Sequence, residues 1–248
     1  MSYIFQLLDI SQDDIKPDFD SNKEYCITLY GKTKNNESIV CNVMGYEPSF
    51  YIKIPSSWNH TYTTTLFLEK IDINYKRYIN CIKLQAKNCI RSYKELYGYH
   101  INENDQLKLF SFLKLSFSTN IGFKKFSKMV QKFYKDENNK LNNGEKIDKN
   151  IKKWIQSNIK ECDSCLYESN IPPIIKFIHE TNINPSGWIE INNFKENFVK
   201  NFKTNKEIEC RLSNIKSFHC EDINDFKIAS FDIECDSSTG AFPQAIKD

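Results

Sequence analysis

The chain opens on short runs in which apolar and polar positions alternate with a period near two. That pattern predicts strands over residues 4–8, 25–30, 38–43 and 49–54, rich in β-branched and aromatic residues and separated by turn formers at Asn35, Asn36, Gly45 and Pro48. We expect an antiparallel meander here. Over 61–79 the spacing of Leu66, Phe67, Ile71 and Ile73 suits a helix, although the threonines at 63–65 disfavour one. Residues 81–90 read as another strand, and Gly98 between Tyr97 and Tyr99 marks a bend. The run 109–117 is apolar on both faces, through Phe110, Phe112, Leu113, Leu115 and Phe117, as in a buried strand.

The period then changes. Thr119 or Asn120 can cap a helix whose apolar stripe is Phe123, Phe126, Met129, Val130 and Phe133, with lysines on the opposite face. Residues 135–160 carry few apolar groups and read as a polar surface insertion. A second helix follows, capped by Ser169 or Asn170, with Pro172 and Pro173 in its first turn and a buried stripe of Ile171, Ile174, Ile175 and Ile178. A turn at 184–187, strands over 188–191 and 208–212, and a last strand beyond Asp225 complete an α+β fold built on a mixed β-sheet.

Composition narrows the class. With 248 residues, 40% of them hydrophobic, the chain can bury a substantial core. Its 34 basic and 32 acidic residues nearly cancel, so any basic groove for a polyanion must be local. Nine cysteines, an odd number in a chain with no basic start leading into an apolar secretory segment, are expected to be reduced and intracellular. No apolar run approaches the roughly 18 residues of a membrane span, so we expect no membrane partner.

The sharpest chemistry lies near the end, where Asp232 and Glu234 sit two residues apart in an apolar run. In an extended strand both carboxylates face one side, while Phe231, Ile233 and Cys235 face the other. Hard divalent cations such as Mg²⁺ or Mn²⁺ take oxygen ligands of this kind, and two ions about 4 Å apart can activate water for phosphodiester cleavage. Asp-x-Glu alone is common on solvent-facing strands. Here the apolar strand before it argues against two like charges standing unneutralised side by side. Cys162 and Cys165 have zinc-ligand spacing but lack a second pair, and His60, His100, His179 and His219 are scattered. Ordinary reduced thiols are the simpler reading. The lysines between 124 and 160 can touch phosphate or simply be solvated, and the aromatic-lysine run at 50–53 suits core packing better than base stacking.

At this point the chain resembles a family. Phe231, Asp232, Ile233, Glu234 and Cys235, followed by Gly240, Phe242 and Pro243, closely resemble the first exonuclease motif of family B DNA polymerases, especially the polymerase delta catalytic subunit and its relatives in large DNA viruses. Tyr167, Glu168, Ser169 and Asn170, leading to Gly187, Trp188, Ile189 and Glu190, are similar to the segment that precedes that nuclease. The runs 45–53, 96–100 and 112–114 are similar to the family's N-terminal domain.

The resemblance implies a replicative DNA-directed DNA polymerase with a 3′–5′ proofreading exonuclease. It makes Asp232 and Glu234 the catalytic metal ligands for Mg²⁺ or Mn²⁺. Residues 1–225 would form the N-terminal domain, and 226–248 the first strand of a ribonuclease H-like exonuclease domain, truncated because the family's other motifs lie further on. Primer-template and single-stranded DNA, deoxynucleotides, and a sliding clamp or accessory subunits would be partners of the full enzyme, at a viral replication site in the host cell. The 248 residues alone are expected to be inactive. The alternative is a stand-alone module that binds single-stranded nucleic acid or a protein partner without catalysis.

Overall fold

The first three strands, β1 (Ser2–Ile15), β2 (Glu24–Thr33) and β3 (Ser38–Met44), form the expected antiparallel meander. The computed structural model describes residues 2–16, 22–59, 62–77, 79–88, 109–158, 165–197, 201–225 and 230. β1 is much longer than its apolar run, because a bulge between Leu7 and Asp9 turns Leu8 outward and lets pairing with β2 continue to Ile15. β3 then pairs in parallel with β10 (Lys206–Arg211), which pairs antiparallel with β9 (Phe194–Glu196). β8 (Trp188–Asn192) lies antiparallel to β1 and, on its other edge, to β11 (Ile215–Phe218).

Only Asn193, in the left-handed region at φ 49°, separates β8 from β9. The two are halves of one bent strand, and that strand joins β1 to β10 and closes the sheet on itself. Asparagine tolerates this conformation better than most residues. Across the bend, the Tyr3 hydroxyl donates to Glu196 Oε1 at 2.7 Å, and the Tyr3 and Phe194 rings sit 4.7 Å apart. The result is a five-stranded Greek-key barrel with the connectivity of an OB fold. Phe5, Leu7, Ile27, Leu29, Ile39, Val43, Ile189 and Ile208 fill it.

Everything from 45 to 187 is inserted between the third and fourth barrel strands. It contains a four-stranded sheet in which β4 (Ser49–Ile54) lies between β6 (Leu109–Phe117) and β7 (Leu166–Tyr167), with β5 (Ile79–Asn88) beyond β6. Short helical turns, Tyr62–Phe67 and α1 (Leu68–Ile71), lead through a further turn at Tyr75–Arg77 into β5. Two longer helices, α2 (Asn120–Asn142) and α3 (Lys149–Asn158), cover one face of this sheet. A third, α4 (Pro173–Thr181), returns to the barrel and plugs one end with Phe177, which is fully buried against Tyr46.

Four expectations need correction. The meander stops at β3, because β4 leaves for the second sheet. The expected polar insertion at 135–160 does pack over its described part, 135–158. α2 runs on to Asn142, and α3 presents Ile151, Trp154 and Ile155 at helical spacing, all buried, with Trp154 Nε1 donating to Lys53 O at 2.9 Å. Asp148 starts α3 by accepting from the backbone of Asn150 and Ile151. Neither Ser169 nor Asn170 caps α4, whose cap position is Pro172, and its buried side chains are Pro173, Lys176 and Phe177. Ile171 and Ile175 are exposed, whereas Lys176 takes an inward position, donating to Ser49 O at 3.0 Å and pairing with Glu168 at 2.9 Å. The predicted bend around Gly98 and the last strand lie outside the described residues.

The barrel wall leaves no room at Gly31, where a Cβ would stand 2.1 Å from the Phe5 ring and 2.6 Å from Gln6 O. Gly31→Ala is expected to cost about 1–3 kcal/mol in denaturant unfolding, with an unchanged m-value. A second outcome concerns pH. Burial pushes the Cys26 thiol up to about 11, and Cys41 is raised by its hydrogen bond to Cys210, 3.5 Å away, and by burial. A thiol raised from an ordinary value of 9.0 stabilises the folded state fully below that pH and loses the contribution as pH rises through about 11. The urea midpoint should therefore fall between about pH 8 and pH 10.5, and less steeply in Cys26→Ala.

Candidate nucleic-acid interface

Where the barrel meets the inserted sheet, the described residues form a cleft of about 810 Å³. Five separate stretches build it: the entry to β2, the β3–β4 link, the turn Tyr75–Arg77, the β6–α2 turn and the end of β10. Gly45 in the β3–β4 link has φ +86°, a conformation glycine adopts without strain, and the Arg211 side chain lies 3.8 Å from where its Cβ would stand. Four cations, Lys23, Lys76, Arg77 and Arg211, line the cleft against two carboxylates, Glu24 and Glu47. All four cations are exposed, and Lys23, Arg77 and Arg211 have no ion-pair partner among the described residues.

The floor is fixed by backbone. Tyr25 N donates to Ser118 O at 2.7 Å, and Asp14 at the end of β1 accepts from Asn120 N at 2.6 Å and Ile121 N at 3.0 Å. Thr119 caps the same helix by accepting from Gly122 N at 3.0 Å. The positive end of α2 is thus already neutralised by a buried carboxylate, and the cleft's attraction for anions comes from its side chains. Tyr25 and Tyr46 line the wall, but both rings are packed in the barrel core, and burial raises both phenols well above their ordinary value. They offer no free face for a base. The arrangement suits phosphate contacts along a backbone rather than base stacking.

The outer face of strands two and three, which OB barrels commonly use for ligands, is different. Thr28 donates to Asn42 at 3.0 Å, and the Phe202 ring packs edge-on against Tyr30 at 5.7 Å. The loop bearing Phe202 is held by Glu207, only 2% exposed, which accepts from Asn201 N at 2.7 Å and Phe202 N at 3.2 Å. Asp9 and Asp13 stand on the neighbouring strand. A partly covered face with carboxylates at its side is unsuited to a polyanion.

Asp232 and Glu234 lie outside the described residues, as do Cys162, His60 and His100. The chain leading to the two carboxylates is pinned across the barrel: Trp188 Nε1 donates to Asp222 O at 2.7 Å, Asn224 N to Gln6 Oε1 at 2.9 Å and Asn224 Nδ2 to Lys32 O at 2.8 Å. Cys165 is a buried thiol, and no cluster of three or more potential metal ligands occurs among the described residues. The run 50–53 is buried, as core packing requires. The cleft cations were not legible in sequence, because each sits in a different stretch and only the strand order brings them together. No helix among the described residues is long and apolar enough to cross a membrane.

Residues 164–248 match the family model described as "DNA polymerase family B, exonuclease domain". The DNA polymerase of Phaeocystis pouchetii virus is 30% identical over 238 residues, covering 93% of this chain and 21% of the relative. The DNA polymerase delta catalytic subunit of Arabidopsis thaliana is 26% identical over 269 residues, covering 100% of this chain and 22% of that protein. Among solved structures, the family B DNA polymerase of Pyrobaculum calidifontis matches 83% of this chain and 19% of its own at 11% identity and a TM-score of 0.46, too distant a likeness to define the fold. The chain spans about a fifth of the length of these curated relatives. With an exonuclease-domain match at one end and polymerase relatives along nearly the whole length, the chain is similar to the family B DNA polymerases.

Proposed function

We propose that this chain is a region of a replicative DNA-directed DNA polymerase, and that it carries the first carboxylate motif of a 3′–5′ proofreading exonuclease while its cleft receives single-stranded DNA. The observation that supports this most is the alignment with viral and polymerase delta sequences along nearly the whole chain. The barrel and inserted sheet then brace the nuclease and guide the strand. Primer-template DNA, deoxynucleotides and clamp or accessory subunits are partners of the larger enzyme, which works at a viral replication site inside the host cell.

Asp232 and Glu234 have the donor chemistry for Mg²⁺ or Mn²⁺: hard carboxylate oxygens at a spacing that turns both to one side of a strand. A bound ion would supply Lewis acidity and a water activated at neutral pH. Two carboxylates do not complete such a shell; water and the phosphate oxygens of the DNA strand are donors of the kind that would. This chain's own part is to supply the two carboxylates, a few residues after Asp222 and Asn224, which are pinned across β8, β1 and β2.

In the polymerase that contains this region, Asp232→Ala with Glu234→Ala is expected to slow 3′–5′ digestion of a single strand at least about a hundredfold, or about 2.7 kcal/mol of transition-state stabilisation, with DNA synthesis retained. Unchanged digestion would refute the assignment. For the cleft, Arg77→Ala with Arg211→Ala should weaken binding of single-stranded DNA by the 248-residue chain and make its log–log salt dependence shallower by about 1.4, some 0.7 for each lost phosphate contact. Binding that does not respond to the double change would remove the cleft from the path.

A further inference from the structure

The helix Asn120–Asn142 carries a charge pattern that the cleft does not explain. From 120 to 135 it contains five lysines and no acidic residue. Successive positions turn by about 100°, so Lys124, Lys125, Lys128, Lys132 and Lys135 fall within an arc of about 100° along about 16 Å of axis. That arc lies opposite the buried side of the helix, where Phe123, Phe126, Val130 and Tyr134 pack on the inserted sheet. All five lysines are exposed, and Lys124, Lys128, Lys132 and Lys135 make no ion pair among the described residues. The first acidic residues along the helix are Asp136, exposed at the end of the row four positions after Lys132, and Glu137, which is taken by Lys140 at 2.6 Å.

We infer that this lysine row is a docking surface for the phosphate backbone of single-stranded nucleic acid, separate from the nuclease motif and additional to the cleft. The inference rests on the polymerase reading for the identity of the strand, but not for the surface itself. Charge complementarity selects a polyanion: lysines at i and i+4 stand about 6 Å apart along the axis and can meet successive phosphates of one strand. The row is straight and about 10 Å across, so a flexible strand can follow it, whereas the phosphates of a stiff duplex wind away from it. Nothing aromatic lies on the row, so contact is with backbone and independent of sequence. Apolar exposure on the helix is confined to Ile121, at one end, which leaves no amphipathic face to enter a membrane. Thr119, which caps the helix, also lines the cleft, so the row begins beside the cleft that would hold the same strand.

The test is a fluorescence titration of the 248-residue chain with labelled oligothymidylate over a range of salt concentrations. Lys128→Glu with Lys132→Glu and Lys135→Glu is expected to weaken binding at low salt about tenfold or more, and the corresponding triple glutamine variant to make the log–log salt slope shallower by about 2. The glutamine variant keeps the helix and reads the same contacts if charge reversal disturbs folding, which circular dichroism monitors. Wild-type affinity and slope in the glutamine variant overturn the lysine row. If the Arg77→Ala and Arg211→Ala change still weakens binding in that case, the cleft reading stands; if neither set changes binding, both surfaces fail. Tighter binding of duplex than of single strand, or capture of phosphatidylserine vesicles through the same three lysines, overturns the assignment to single-stranded nucleic acid.

Discussion

One buried carboxylate holds the two halves of this structure together. Asp14, 8% exposed at the far end of β1, accepts from the first two backbone N–H groups of the helix Asn120–Asn142. Those donors have no partner within the helix, and a side-chain acceptor for such a group is worth about 1 kcal/mol. Here both come from one residue of another layer, so the bond that caps the helix also docks it. The bulge at Leu7 and Asp9 matters for the same reason, since pairing that continues past it carries β1 far enough to place Asp14 there. The cleft is the space left beside that joint, and the lysine row starts one turn beyond it.

The other joints follow from how the barrel closes. The insertion leaves after β3 and must return to β8, so its helix Pro173–Thr181 arrives at the end of the barrel and fills it with Phe177. Lys176, one residue earlier, turns the opposite way toward β4, where Ser49 O, Glu168 and the Tyr51 ring surround its ammonium group. Neighbouring residues on one helix thus seal the barrel with an apolar group and bind the inserted sheet with a charge. A buried ammonium group is tolerable only when it is paired and hydrogen-bonded in this way. Its geometry therefore constrains the two layers more tightly than apolar contact alone would.

Much of this was legible in the residues. The strands at 49–54 and 109–117 end where their apolar runs end, and Thr119 caps the helix as its side chain suggests. The failures share a cause, which is that burial was read from apolar residues alone. Lys176 occupies a core position because of partners that no local pattern shows, and of the expected isoleucine stripe of that helix only Ile178 packs, partly buried, against the barrel core. Residues 149–158 read as polar because three lysines and four uncharged polar residues surround Ile151, Trp154 and Ile155, which are enough to bury one face. The carboxylate pair was found from a motif contiguous in sequence. The cleft is assembled from five stretches by the parallel pairing of β3 with β10 and by the docking of the insertion, and no periodicity carries that information.

The lysine row has an energetic side that separates it from an ordinary solvated helix face. Lys124 and Lys128, then Lys128 and Lys132, are i,i+4 pairs of like charge, while Lys125 with Lys128 and Lys132 with Lys135 are i,i+3 pairs. Each such pair destabilises a helix by about 0.2–0.5 kcal/mol, whereas a glutamate in any of these places would reverse the sign. Neighbouring lysines about 6 Å apart along the axis lie within the Debye length of about 8 Å at physiological salt, so their fields add. The helix tolerates this because Phe123, Phe126 and Val130 anchor its other face. In a chain whose basic and acidic residues otherwise nearly cancel, keeping acids out of four turns concentrates positive potential at a cost to folding, and a polyanion laid along the row would relieve that repulsion.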